Sequence, residues 1–224
     1  MKIGIISALS AEQESVIARM SDKKETVYVG NTYTSGKYAK HEIISVASGA
    51  GKVSAAITAQ ILIDKFGVDR VIFSGTGGGM KAGQHIGDVI IVSESAYHDT
   101  EMYWLINYYP FVKGDFFKSD EEMVELAKQV RAEGITVKSG VAVTGDTFIV
   151  DDGRERICEK FSPDSVDMET AGAAQACFMN NIPFMAVRGL SDTEDDKGRG
   201  TFEVNCAFAA KNAAQIVFGM IDML

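Results

Sequence analysis

The chain has 224 residues, 46% of them hydrophobic and 24% charged, an ordinary globular balance that excludes a disordered or low-complexity chain. Its formal charge of −9 argues against a nucleic-acid surface, because affinity for a phosphate backbone comes from Lys and Arg neutralising phosphates. A chain of this length buries roughly 70% of its unfolded surface, so one domain spanning residues 1–224 can hold its own core.

Short strand-like runs open the chain at Ile3–Ser7, Val27–Val29, Tyr33–Lys37 and Glu42–Ala47, with Gly30 and Gly36 as punctuation. A first helix begins near Glu12. Gly51–Phe66 reads as a helix closed by Gly67, and Val53, Ala56, Ile57, Gln60, Ile61 and Asp64 share a face whose apolar members are expected to be buried. Val71–Ser74 is a buried strand that runs into Gly75–Gly79, read as a tight turn. Asp88–Glu94 is a strand and Asp120–Ala132 a charged surface helix. Val137–Thr144 and Ser165–Met168 are strands, the second leading into a helix over Glu169–Asn180. Phe184–Leu190 is the last strand. A final helix over about Val204–Leu224 puts Ala209, Ala213, Ile216, Val217, Met220 and Leu224 on one face. Strands first and strand–helix alternation afterwards predict a three-layer α/β fold, with a central mixed β-sheet flanked by helices.

Cys158, Cys177 and Cys206 show no paired spacing, and the last two lie in Ala-rich helical stretches as small buried hydrophobes. The chain opens directly on a strand, and no apolar run reads as a membrane span. A cytoplasmic protein with no membrane partner is expected.

Two glycine-rich segments invite a phosphate-binding reading, and both fail on spacing. Ser48-Gly49-Ala50-Gly51-Lys52 ends like a P-loop, but Val46 stands at the partner glycine's place and Val53 at the magnesium-binding hydroxyl's. Gly75-Thr76-Gly77 lacks the third glycine of a dinucleotide fingerprint, where Met80 stands. Acidic residues near strand ends are the sharper signal: Glu12 after the first strand, Glu169 after Ser165–Met168 and Asp192 after Phe184–Leu190. In an open α/β sheet such ends gather at one edge, giving three carboxylates around one crevice. Glu12 alone could be a helix N-terminal acid complementing the macrodipole. His41, His85 and His98 share no metal-ligand spacing, so no metal is expected and acid–base work is. His98, in Tyr97-His98-Asp99, reads as a hydrogen-bonded structural residue.

The ordered set Ser48–Val53, Ser74–Gly79, Gly87–Ile91, Tyr97–Asp99, Val143–Phe148, Val166–Glu169 and Val187–Asp192 resembles the nucleoside phosphorylase/hydrolase family over nearly the whole chain. Within that family the resemblance is greatest to the methylthioadenosine/S-adenosylhomocysteine nucleosidases. It implies hydrolysis of a purine nucleoside's N-glycosidic bond without a cofactor, by a homodimer, and a place in methionine salvage. Residue by residue, Asp192 would protonate adenine at N7 and Ser191 would orient it. Glu12 would activate water with Arg188 nearby, and Glu169 would hold the ribose hydroxyls. Met168 would pack beneath the sugar, while Phe148 and Ile149 would receive adenine. Phe202, beyond the loop Thr193–Thr201, would close over the ligand.

Departures from the family pattern gather around the sugar. Asp167 stands where Glu is usual, shortening a ribose-side carboxylate, and Thr76, Leu9 and Ala50 replace a usual Ser, Met and Ile. Met102 and Leu105 lie where a partner subunit lines the 5′ pocket in the family. The 5′-group therefore stays open between methylthio, homocysteinyl, hydroxyl and futalosine-like. A phosphorylase is the nearest alternative, although Ser7–Glu12 offers phosphate no cation. A non-catalytic nucleoside-binding module is the other. The apolar, aromatic stretch Met102–Val112 motivates the dimer.

Overall fold

The computed structural model describes residues 1–108, 114–150, 153–195 and 198–224. Its elements are β1 (Lys2–Ser7), α1 (Ser10–Ile17), β2 (Ser21–Tyr28), β3 (Asn31–Tyr38), β4 (His41–Ala47), α2 (Lys52–Asp64), β5 (Arg70–Gly79), β6 (Val89–Tyr97) and α3 (Met102–Tyr108). There follow β7 (Phe117–Lys118), α4 (Glu121–Gln129), β8 (Val137–Thr144), α5 (Arg154–Phe161), β9 (Ser165–Asp167), α6 (Thr170–Met179), β10 (Phe184–Asp192) and α7 (Arg199–Ile221).

The strands make one mixed sheet in the order β10-β6-β8-β9-β5-β1-β4-β3-β2, with β7 on β6 and a further pairing of β10 with β5. That pairing closes β5, β10, β6, β8 and β9 into a ring, which leaves β1, β4, β3 and β2 as an open wing. β1 is parallel to β4 and β5, and β10 is parallel to β5. Side chains alternate along β1, so Ile5 and Ile6 enter different cores. Ile6, Val46, Phe73 and Ala186 pack with Ala55, Ala59 and Leu62 of α2 and Ala171 and Ala174 of α6. Ile3, Ile5, Ile72 and Val187 pack on the other face with Met123 and Ala127 of α4 and Ile216, Val217 and Met220 of α7. The three-layer α/β expectation holds.

Helix α7 lies directly on the sheet. A Cβ at Gly189 would collide with the Ala209 backbone carbonyl, so β10 can take only glycine where the helix crosses it. By length and composition α7 is apolar enough to span a membrane, contrary to the sequence expectation, but 61% of its most apolar window is buried within the fold. It reads as a core helix.

Several elements differ from expectation. β2 is eight residues long and exposed throughout, so no hydrophobic alternation marked it. β5 runs on through Gly79, and the predicted turn at Gly75–Gly79 is instead a strand flanked closely by Arg188 and Val166. On α2 the buried residues are Ala55, Thr58, Ala59 and Leu62. Val53 and Ile57 are 69% and 51% exposed, the reverse of the predicted face, because small residues allow the close approach of α2 to α6. α7 begins five residues before the predicted Val204, while Ala209, Ala213, Ile216, Val217 and Met220 are buried as expected. The short elements α3, β7 and α5 had no counterpart in the sequence reading. Cys177 and Cys206 are buried, and all three thiols are free.

Candidate active site

β1, β4, β5 and β10 run parallel, so the segments after Ser7, Ala47 and Asp192 leave the sheet at one edge. There a cavity of about 440 Å³ is lined by Leu9, Glu12, Ala50, Thr76, Phe148, Ile149, Met168, Glu169, Ser191, Asp192 and Phe202. All of these were proposed from the sequence, and the cavity size suits a nucleoside-sized ligand. Asp167 also reaches this wall, as do Gly77, Gly78, Val166, Arg199 and Glu203, the last five of which were not foreseen. Nothing in their residue types marked them.

Glu12 enters from the first turn of α1 and is only 2% exposed. Its Oε2 accepts hydrogen bonds from the backbone N–H groups of Ala8 (2.8 Å) and Leu9 (3.0 Å), and Oε1 accepts from the Thr76 N–H (2.8 Å) and hydroxyl (2.7 Å). The bond from Leu9 caps the helix, so the capping role and the site role fall on one side chain. Hydrogen-bond donors, not solvent, surround this carboxylate.

Asp192 ends β10 where the register against β5 slips between Leu190 and Asp192. Such a bulge re-aims side chains, and it brings both Ser191 and Asp192 to the cavity wall. The Ser191 hydroxyl donates to Asp192 Oδ1 at 2.8 Å. Burial pushes the Asp192 carboxyl above its ordinary value, against the opposing pull of the Ser191 hydrogen bond and the Arg154 charge.

Glu169 is the N-cap residue of α6 without capping it. Its Oε1 accepts from the Gly51 N–H at 3.0 Å, and its Oε2 lies 3.6 Å from Arg188 Nη2. Burial raises its carboxyl to about 7; Arg188 opposes the rise and Asp167 adds to it. Asp167 caps in its place: Oδ1 accepts from the N–H groups of Glu169 (3.0 Å) and Thr170 (2.9 Å) and from the Thr144 hydroxyl (2.8 Å). With Oδ2 held by Thr170 and Arg188, Asp167 has no acceptor site left for a ribose. The ribose-side role inferred from its position is therefore corrected.

Arg188 is fully buried behind the wall and stacks over Phe73, its Cζ 4.2 Å from the ring centre. A Cβ at Gly75 would lie 2.9 Å from Arg188 Nη1 and 3.2 Å from both Glu12 oxygens. Gly75 is thus the gap across which the two charges meet. Phe148 and Phe202 form an edge-to-face pair at 6.0 Å. Phe202 stands in the first turn of α7 rather than beyond a loop, and residues 196–197 of the expected loop lie outside the described residues.

Met102 and Leu105 are not among the cavity-lining residues; both pack on the core around Tyr97 and Phe117. Residues 109–112 of the Met102–Val112 stretch lie outside the described residues. Lys52, discounted as a P-loop lysine, bonds Asp99 at 2.8 Å and Asp146 at 3.3 Å, which fastens α2 to the loop before Phe148. His98 donates its backbone N–H to the Thr144 carbonyl at 3.0 Å, its ring abuts Gly145, and its buried Nε2 has no partner among the described residues. Burial lowers its pKa.

Carboxyl groups in contrasting environments around one cavity, on a sheet-edge α/β scaffold, define a class of acid–base enzymes acting on small molecules. Within that class the chain belongs to the phosphorylase superfamily, whose family match spans residues 2–222. A 5′-methylthioadenosine/S-adenosylhomocysteine nucleosidase of Actinobacillus succinogenes is 35% identical, with all of both chains covered. An aminodeoxyfutalosine nucleosidase of Campylobacter jejuni is 32% identical, again with full coverage of both. The crystal structure of a 5′-methylthioadenosine/S-adenosylhomocysteine nucleosidase from Colwellia psychrerythraea in complex with adenine superposes with a TM-score of 0.91 at 33% identity. It covers all of this chain and 96% of the other.

Proposed function

We propose that the chain is an N-ribosyl purine hydrolase that releases adenine from 5′-methylthioadenosine and S-adenosylhomocysteine, with a place in methionine salvage. The observation that carries this reading is Glu12, a buried carboxylate among four donors where a phosphate nucleophile would need a cation. Of its donors, only the Thr76 hydroxyl can rotate away. That motion frees a lone pair on Oε1 for the O–H of an attacking water.

Asp192 transfers its proton to N7 of adenine, and the C1′–N9 electron pair leaves with the base. Water oxygen bonds to C1′ as its proton passes to Glu12. Solvent then takes the Glu12 proton and restores one to Asp192. Glu169 binds the ribose hydroxyls and offsets the positive charge that grows on the sugar. Phe148 and Phe202 flank the base, and Met168 lies under the ribose. Arg188, sealed behind the wall, positions its neighbours without touching substrate.

The similarity to both methylthioadenosine/S-adenosylhomocysteine and aminodeoxyfutalosine nucleosidases gives the second reading: a larger 5′-group. Base release from 5′-methylthioadenosine, S-adenosylhomocysteine, 6-amino-6-deoxyfutalosine, adenosine and inosine, each with and without phosphate, separates the possibilities. Highest kcat/KM on the two thio-nucleosides without phosphate is expected. Preference for the futalosine would reassign the 5′ pocket, and strict phosphate dependence would overturn the hydrolase.

The same proposal includes a cytoplasmic homodimer. Three unpaired thiols suit a reducing compartment. α2 exposes Val53 and Ile57, and α3 exposes Tyr103, Trp104 and Tyr108, an apolar surface that a second copy would cover. Met102 is buried in its own subunit, so a contribution across the dimer to the 5′ pocket would fall to Leu105 and its exposed neighbours. A monomeric mass at micromolar concentration would contradict the dimer.

A further inference from the structure

Arg188 is a fully buried cation whose five N–H donors must all find acceptors, since an unpaired buried charge is costly. Nη1 donates to the Thr76 carbonyl at 3.0 Å. Nε and Nη2 both donate to the Thr170 hydroxyl, at 2.9 and 2.7 Å. That hydroxyl gives its own proton to Asp167 Oδ2. Its orientation is therefore fixed, with lone pairs toward Arg188 and hydrogen toward Asp167. Asp167 in turn caps α6 at the N–H groups of Glu169 and Thr170.

We propose that Thr170, anchored by Asp167, is a positioning residue that sets the guanidinium of Arg188 against Glu169 and thereby sets the ribose clamp. One hydroxyl sits between a carboxylate that only accepts and a guanidinium that only donates. Arg188 Nε also lies 3.2 Å from Asp167 Oδ2, so the hydroxyl fills a fork that the short Asp167 side chain meets at one point. Without it, Nε keeps a single partner and Nη2 retains only the 3.6 Å approach to Glu169. The guanidinium would then turn toward Asp167 and away from the clamp. Thr170 itself does not line the cavity, so its effect on catalysis passes through Arg188 and Glu169.

The inference rests on the reading of Glu169 as the group that binds the ribose hydroxyls, and the experiment separates the two. kcat and KM would be measured for 5′-methylthioadenosine and its 2′-deoxy and 3′-deoxy analogues, with wild type, Thr170→Val and Thr170→Ser. Valine keeps the branched shape without the hydroxyl, and serine keeps the hydroxyl. Thr170→Val is expected to lower kcat/KM for the ribosyl substrate on the order of 10- to 100-fold, the cost of stripping a buried charged donor of its acceptor. The deoxy analogue lacking the clamped hydroxyl should be affected far less, so wild-type discrimination between ribose and deoxyribose collapses. Thr170→Ser should restore it. Equal losses on all three substrates would make Thr170 merely structural and overturn the proposal, as would a valine variant indistinguishable from wild type. Should the valine variant not fold, Thr170→Ala enters the same comparison with the same two outcomes. A wild-type enzyme that fails to discriminate ribose from deoxyribose would instead overturn the reading of Glu169.

Discussion

Asp192 and Glu12 line one cavity at almost equal burial, 5% and 2% exposed, yet their surroundings are opposite. Among the described residues Asp192 has one hydroxyl donor, Ser191, and burial lifts its carboxyl toward the protonated form. Among the described residues Glu12 accepts from four donors, and three of the four are backbone N–H groups. Depth in the protein does not decide what a carboxyl does; the number and rigidity of donors around it do. One end of the cavity is built to give a proton and the other to hold an acceptor.

The largest effect should come from removing either group. Asp192→Asn and Glu12→Gln are each expected to cut kcat by roughly 10²–10⁴-fold, the usual range for losing an acid or base. Their effects on stability should diverge. At neutral pH the asparagine variant should be no less stable than wild type, because burial disfavours the Asp192 charge. The glutamine variant points an N–H₂ at fixed donors and should lose about 1–3 kcal/mol in denaturant unfolding. Equal stability losses would erase the contrast between the two ends.

The pH profile sharpens it. Catalysis needs Asp192 protonated and Glu169 ionised, and both carboxyls are raised. kcat/KM should therefore fall on the acid side as Glu169 takes up its proton near 7, while burial moves Asp192 in the direction its acid role needs. Glu169→Gln should abolish the acid limb. Stability runs in the matching direction. A raised carboxyl contributes fully below its unfolded value of about 4, and that contribution is lost as pH rises through the folded value, about 7 for Glu169. Wild type should thus lose stability relative to Glu169→Gln between those limits, and a constant difference across them would contradict the assignment. The smallest effect is expected at the aromatic wall. Phe202→Ala removes one ring of the Phe148–Phe202 pair and should raise KM by about 3- to 10-fold. Unchanged KM would move the base elsewhere in the cavity.

Much of the site was legible because it is built at strand ends. Glu12, Glu169 and Asp192 each stand beside an apolar run, and the parallel course of β1 and β10 brings the first and last of them to one edge. The resemblance to known nucleosidases supplied the cavity wall, including Phe148, Met168 and Phe202, whose residue types alone suggest core. What stayed hidden depends on packing across distant segments. The glycines Gly75–Gly79 look like a turn, but they form a strand whose bare surface admits Arg188 and Val166. The apolar face of α2 looks like core until the small residues Ala55 and Ala59 prove to be the contact. Asp167 looks like a ribose ligand, and only its full set of hydrogen bonds shows that it caps α6 and holds Thr170. Local pattern reports which chemistry is present; long-range contact decides which groups remain free to use it.

The most direct test of the central claim is the identity of the sugar formed from 5′-methylthioadenosine in buffer containing millimolar phosphate. The donor cage around Glu12 predicts free 5-methylthioribose alongside adenine, in equal amounts whether or not phosphate is present. Accumulation of 5-methylthioribose 1-phosphate would show that phosphate, not water, attacks C1′, and would contradict the role assigned to Glu12.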